Sequence, residues 1–212
     1  MIYNNTIDKL KMDGRKLPTH LENPIDNILL YFCQAIHPMI YKIGFTANDI
    51  TILSGIFQFI SIYLVWKEMY ILASIIYMLG YFFDVLDGYY ARLYKMVSVY
   101  GDILDHGKDT LVTISMIIVI IFHSKIPTYV KVIYLISISV LGILTIIYSG
   151  CQETYYHKGH NRGKGHDAMA ILKNLCTIDA ENKLHWLRWG GTGTFAVFIM
   201  ILFASLHVIA KK

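Results

Sequence analysis

Residues 84–109 read DVLDGYYARLYKMVSVYGDILDHGKD. Asp84, Asp87, Asp102, Asp105 and Asp109, with Arg92, sit between the apolar runs Met69–Phe83 and Leu111–Phe122. Ionised groups are costly beside hydrocarbon, so charge this dense within an apolar region points to a functional site. The spacing is helical. Asp84, Asp87, Gly88 and Ala91 fall at i, i+3, i+4 and i+7, on one face. Asp105 and Asp109 stand one turn apart on a second helix, with Asp102 and His106 one turn apart beside them. The short connection predicts antiparallel neighbours whose acidic faces converge.

Outward from this stretch the chain is strongly apolar. Of 212 residues, 55% are hydrophobic and 16% charged, with a mean hydropathy of +0.47. Soluble domains carry more charge. The further runs Asp49–Trp66, Val130–Tyr148 and Thr192–Ala210 approach the roughly 20 residues of a bilayer crossing. The two runs flanking the motif reach that length once its polar residues cap them. The expected fold is therefore all-α, a polytopic integral membrane protein with five to six transmembrane helices. Spans are predicted from about Thr46 to before Lys67, from Met69 to Tyr94 and from Ser98 to His123. A fourth ends near Gly150, followed by a polar loop, Gln152 to Asp167, and a mixed interfacial stretch, Ala168 to Trp189.

At the other end, Ile25, Ile28, Leu29, Phe32 and Ile36 share a helical face, with Asn23 as N-cap and Pro24 at the first helical position. This predicts an amphipathic helix over Asn23–Pro38, lying in the membrane interface. The chain then divides into a cytosolic lead with this helix, residues 1–45, and a transmembrane catalytic domain, residues 46–212. Placing the N-terminus inside puts Lys9, Lys11, Arg15, Lys16, Lys42, Arg92, Lys95, Lys108 and the basic loop on one side. Lys67, Lys125 and Lys131 fall on the other, so the motif faces the cytosol. The net charge of +4 reads as this asymmetry and not as nucleic-acid binding. That topology leaves the formal sequon Asn4-Asn5-Thr6 in the cytosol. Cys33, Cys151 and Cys176 form no Cys-x-x-Cys pair, which implies neither a zinc ribbon nor a disulfide framework. His157, His160 and His166 belong to the polar loop and read as solvated.

Converging carboxylates repel one another at low dielectric, and divalent cations relieve that repulsion. All-oxygen ligands suit Mg²⁺ or Mn²⁺, and two ions would neutralise a diphosphate and its leaving group. Gly88 and Ala91 leave room for a substrate to approach the backbone. Arg92 offers a fork of donors to a phosphate.

The pattern Asp84-x2-Asp87-Gly88-x2-Ala91-Arg92-x8-Gly101-x3-Asp105-x3-Asp109 resembles the signature of the CDP-alcohol phosphotransferase family, with every fixed position present. Asn48 and Thr51 resemble the family's Pro-Asn-x-x-Thr entry to the first span, with Ala47 in place of the proline. The resemblance implies six spans, a homodimer and a reaction in which an alcohol attacks a CDP-linked donor and CMP leaves. It also implies that Asp84, Asp87 and Asp105 hold metal, that Asp109 is a further ligand or the base, and that Gly88, Ala91, Arg92, Gly101, Asn48 and Thr51 contact substrate.

Asp105-His106-Gly107-x-Asp109 is similar to the version in the choline and ethanolamine phosphotransferase branch, which also has an acidic residue after the motif glycine, here Asp102. That likeness makes His106 a candidate base oriented by Asp102, and favours CDP-choline or CDP-ethanolamine with diacylglycerol as the lipid acceptor. The chain's length is instead that of enzymes joining CDP-diacylglycerol to a polar alcohol such as inositol or glycerol phosphate. A divalent-cation transporter is the rival from another class. Its sites more often lie at the midplane, on broken or repeated helices, and this acidic cluster is confined to two helix ends.

Overall fold

The computed structural model describes residues 14–160, 176 and 179–210, with side chains of the first segment described through residue 156. Among the described residues the chain is helical and without strands: α1 Pro24–Ile43, α2 Ala47–Trp66, α3 Tyr70–Leu93, α4 Val99–Phe122, α5 Thr128–His160, α6 Ala180–Leu187, a 3₁₀ turn Arg188–Gly190, and α7 Thr192–Ile209. The first 13 residues, with Lys9, Lys11 and the Asn4 sequon, lie outside them, as does His166.

The burial pattern is that of a bundle in lipid. On α2, Ile52, Ile56, Phe59, Ile60 and Tyr63 face outward, while Thr51, Ser54, Gly55, Gln58 and Ser61 face the bundle. A helix whose large apolar residues are exposed and whose small and polar residues are buried has hydrocarbon as its solvent. Segments 47–66, 70–93, 128–156 and 180–209 are each long and apolar enough to cross a membrane. The α4 helix has the same 24 residues as α3, but Asp102, Asp105, Lys108 and Asp109 fill its first three turns. Its remaining turns expose Leu111, Ile114, Ile118 and Ile121, which makes it the fifth element of the bundle.

Polar punctuation sets the helix ends. Thr46 and Asp49 form a reciprocal capping box at the start of α2. Ser98 accepts from the Gly101 amide at 3.0 Å to start α4. Asn23 caps α1 and Pro24 opens it, as the sequence predicts. The α1 helix continues past Pro38 to Ile43, where Gly44 takes a left-handed conformation (φ 89°). Pro38 removes one hydrogen bond, but flanking residues hold the next turn. The His37 ring contacts the Tyr94 hydroxyl at 2.9 Å, and Tyr41 stacks on the Tyr94 ring at 4.2 Å. Ile28, Tyr31, Phe32 and Met39 remain exposed along α1.

Three expectations need correction. The predicted loop after Gly150 begins as helix, because α5 runs on to His160. Its 33 residues span about 50 Å, well beyond a hydrocarbon core of roughly 30 Å. The projecting polar turn has distant partners: Glu153 pairs with Lys16, and Gln152 donates to Glu22 at 3.4 Å. The lead is not merely polar either. Leu17 and Leu21 are buried against Tyr148, Cys151, Cys176 and Leu184. Finally, Cys151 and Cys176 form a disulfide, 25 residues apart in sequence. Burial of both cysteines in this cluster brings them together, an event their spacing does not announce.

A buried polar knot ties α1 to α3 and α7. The Asn23 amide donates to the Arg188 carbonyl at 2.5 Å and to Thr194 Oγ1 at 2.8 Å. Asp26 accepts from the Tyr81 hydroxyl at 2.6 Å, Thr192 Oγ1 at 3.0 Å and the Gly193 amide at 3.3 Å. A Cβ on Gly193 would lie 2.5 Å from Asp26 Oδ1, so α7 starts with glycine where it meets α1. Burial, then the nearby Glu22, pushes the Asp26 carboxyl up to about 7. A raised carboxyl pKa favours the folded state most below the unfolded value near 4, and that contribution is lost as pH rises through about 7. Stability of the wild type is expected to fall across pH 4–7, with Asp26 contributing up to about 4 kcal/mol of the change. Asp26→Asn should flatten this dependence in thermal unfolding measured from pH 4 to 8. A slope identical to that of the wild type would count against it.

Candidate active site

Three helices supply the site: Asn48, Thr51 and Ser54 from α2; Asp84, Asp87, Gly88 and Arg92 from α3; Gly101, Asp102, Asp105, His106, Lys108 and Asp109 from α4. The ends of α2 and α4 approach closely. A Cβ on Gly101 would lie 3.0 Å from Asn48 Oδ1, so glycine there lets the two helices meet.

The acidic faces converge as their spacing predicts. Asp84, Asp87 and Asp105 each bring one carboxylate oxygen within 4.8 Å of the others, and Asp105, His106 and Asp109 bring ligand atoms equally close. Asp105 therefore belongs to both groups. Asp87 is buried at 4% exposure, and its Oδ2 has no hydrogen-bond partner among the described residues. A buried, unpartnered carboxylate oxygen is costly unless a cation meets it. The donors are almost all hard oxygens. On both counts the residues present fit a divalent metal.

A cation the sequence reading did not single out sits among them. Lys108, 8% exposed, pairs through Nζ with Asp84, with Asp105 at 3.0 Å and with Asp109 at 3.1 Å. It also donates to Ser54 Oγ at 3.3 Å. Gly55 admits the lysine stem, since a Cβ there would lie 3.1 Å from Lys108 Cγ. The signal was present: Lys108 is one turn after Asp105 and directly precedes Asp109. Its charge otherwise enters only the lysine and arginine asymmetry across the membrane.

The remaining candidates divide. Thr51 is buried beside Asp87 and donates to the Ala47 carbonyl at 3.1 Å. His106 Nε2 lies 3.3 Å from Asp102 Oδ1, one turn away. That is ion-pair distance for a protonated ring, but the alignment is not that of a hydrogen bond. Arg92 turns toward the lead, its Nε donating to the Gly14 carbonyl at 2.8 Å. The space over Gly88 is taken by the Arg92 guanidinium, 3.1 Å from where a Cβ would stand. Ala91 packs against the cluster shared by α1, α2 and α3. His157 and His160 lie on the end of α5.

Below the carboxylates a cavity of about 400 Å³ runs into the bundle, bounded by Gln58, Tyr77, Asp84, Asp109, Ile138 and Phe195 among others. Its walls are mainly apolar, and carboxylates form its head.

The described residues thus form a helical membrane bundle with acidic residues converging from two facing helices above a mainly apolar cavity. The chain matches the CDP-alcohol phosphatidyltransferase family over residues 45–211 and belongs to it. Members of that family are transferases of substituted phosphate groups that use a CDP-linked donor and an alcohol acceptor. Among curated proteins, an archaetidylinositol phosphate synthase from Pyrococcus horikoshii is 37% identical over 70 residues. That match spans 33% of this chain and 37% of the relative's length. No solved structure matches the chain significantly. Membership in a transferase family sets the cation-transporter reading aside.

Proposed function

We propose that this protein transfers a phosphatidyl-type group from a CDP-linked lipid to a polar alcohol such as inositol, inositol phosphate or glycerol phosphate, releasing CMP. The observation that carries this choice is the relative, whose name specifies an inositol-phosphate lipid as its product. The alcohol oxygen attacks the β-phosphorus, the bond from that phosphorus to the CMP oxygen breaks, and the alcohol proton goes to a base on α4. Asp84, Asp87 and Asp105 would hold Mg²⁺ or Mn²⁺, with Asp109 completing the set. Bound divalent cations would offset the carboxylates and the charge that builds on the diphosphate.

Within this reading Lys108 must release at least one carboxylate when the site is loaded. Of the two candidate bases, Asp109 is 47% exposed in its side chain and His106 33%. The pair Asp102–His106 favours a second reading, in which diacylglycerol accepts phosphocholine or phosphoethanolamine. A panel of radiolabelled donors and acceptors with lipid product analysis separates the two. CDP-diacylglycerol with a polyol should yield product, and CDP-choline with diacylglycerol should not; the opposite pattern overturns the choice. His106→Ala should lower kcat about 10²-fold. Wild-type kcat in this variant assigns the base to Asp109.

The lysine and arginine asymmetry supports a cytosolic site. Cysteines placed singly at the exposed positions Val97 and Lys67, at opposite ends of the spans, test the orientation in intact cells. Val97→Cys should label only with a membrane-permeant reagent and Lys67→Cys also with an impermeant one; the reverse pattern overturns the orientation.

A further inference from the structure

Gln58 is 4% exposed, and its Oε1 has no hydrogen-bond partner among the described residues. A buried amide left this way destabilises a protein, and water does not remedy it inside a membrane. Yet α3 is shaped around the residue: a Cβ on Gly80 would lie 2.8 Å from Gln58 Cγ and 3.1 Å from the Gln58 backbone nitrogen. Gly80 thus leaves the space the glutamine stem occupies. The side chain borders the 400 Å³ cavity that also reaches Asp84 and Asp109.

Depth gives the residue a meaning. Ser54 donates to Asp84 at 3.5 Å, and Gln58 follows Ser54 by four residues on the same face of α2. Gly80, packed on Gln58, precedes Asp84 by four on α3. The amide therefore lies one helical turn, about 5.4 Å, beneath the carboxylate layer. A glycerolipid held with its reacting end at the carboxylates carries its other glycerol oxygens a few bonds away, at that depth. Its two chains would continue down past Tyr77, Ile138 and Phe195. An amide offers both a donor and an acceptor, which suits ester, ether or hydroxyl oxygens in an otherwise apolar channel.

We infer that Gln58 is a lipid-recognition residue that hydrogen-bonds a glycerol-backbone oxygen of the lipid substrate, fixing how deep the lipid sits beneath the reacting phosphate. The inference rests on the transferase reading above, but one arm of its test does not need turnover. Gln58→Met keeps the volume and removes the amide. In detergent micelles containing CDP-dioleoylglycerol, this variant should show a roughly ten-fold higher KM for the lipid. Its kcat and its KM for the water-soluble partner should match the wild type, as expected for loss of uniform binding.

Thermal unfolding supplies the second arm. Without lipid, Gln58→Met should unfold at the same temperature as the wild type or higher, because the unpartnered amide is gone. The upward shift produced by CDP-dioleoylglycerol or by dioleoylglycerol should be large in the wild type and small in the variant. Which of the two lipids gives the shift identifies the lipid as donor or acceptor. An unchanged lipid KM with an unchanged lipid-induced shift overturns the inference, as does a variant that unfolds earlier without lipid. Absence of CMP release by the wild type with every pair would defeat the transferase reading, while the unfolding arm would still decide on Gln58.

Discussion

Asp87→Asn is expected to lower CMP release about a thousand-fold while leaving the protein folded. The carboxylate is buried, and one of its oxygens meets no donor among the described residues. Losing one preorganised charge partner of a transition state typically costs about 4 kcal/mol, or three orders of magnitude in rate. The amide is nearly isosteric and removes one negative charge from a mutually repelling group. The variant should therefore unfold no earlier than the wild type in metal-free buffer. The two proteins should separate when Mn²⁺ or Mg²⁺ is added: the wild type gains stability by mass action, and Asp87→Asn gains little. Wild-type-like activity in this variant, or an equal metal-induced shift in both, would remove Asp87 from the metal site.

Lys108→Met should act in the opposite sense on stability. In the metal-free protein the ammonium is the nearest positive charge to Asp84, Asp105 and Asp109. Removing one partner of a buried ionic group leaves uncompensated charge and costs about 3–5 kcal/mol. For a chain of this size that corresponds to unfolding roughly 10 °C earlier. Divalent metal should restore most of the loss, and half-saturation should come at a lower concentration than in the wild type, because the internal competitor is gone. Thermal unfolding over a metal titration reads both effects. Equal metal affinity in the two proteins would show that Lys108 does not compete for the carboxylates.

The parts of the fold legible in the sequence are those fixed locally. Thr46 with Asp49, Ser98 and His123 end α2 and α4 within a residue of expectation, because capping depends on neighbours in sequence. The convergence of the aspartates was legible for a related reason: helical spacing fixes a face, and a short connection fixes antiparallel packing. What escaped depends on partners far along the chain. The polar extension of α5 is helical because Lys16 and Glu22, more than a hundred residues earlier, meet Glu153 and Gln152. Cys151 finds Cys176 through shared burial with Leu17 and Leu21. In the sequence Lys108 is one more basic residue on the cytosolic side, and only Gly55 and Ser54 of α2, distant in sequence, seat it among the carboxylates.

The knot around Asn23 and Asp26 sets an order of events as the protein is made. Helices leave the ribosome in sequence, so α2, α3 and α4 can bring the carboxylates together while α7 is still unsynthesised. Tyr81 on α3 is available to Asp26 early, but Thr192, Gly193 and Thr194 arrive late. Until then the start of α1 carries a carboxylate and a cap amide with partners missing. The nascent chain thus assembles its acidic centre first and docks its first helix last. Truncation before α7 would leave a membrane-inserted intermediate with its aspartates gathered and its first helix undocked.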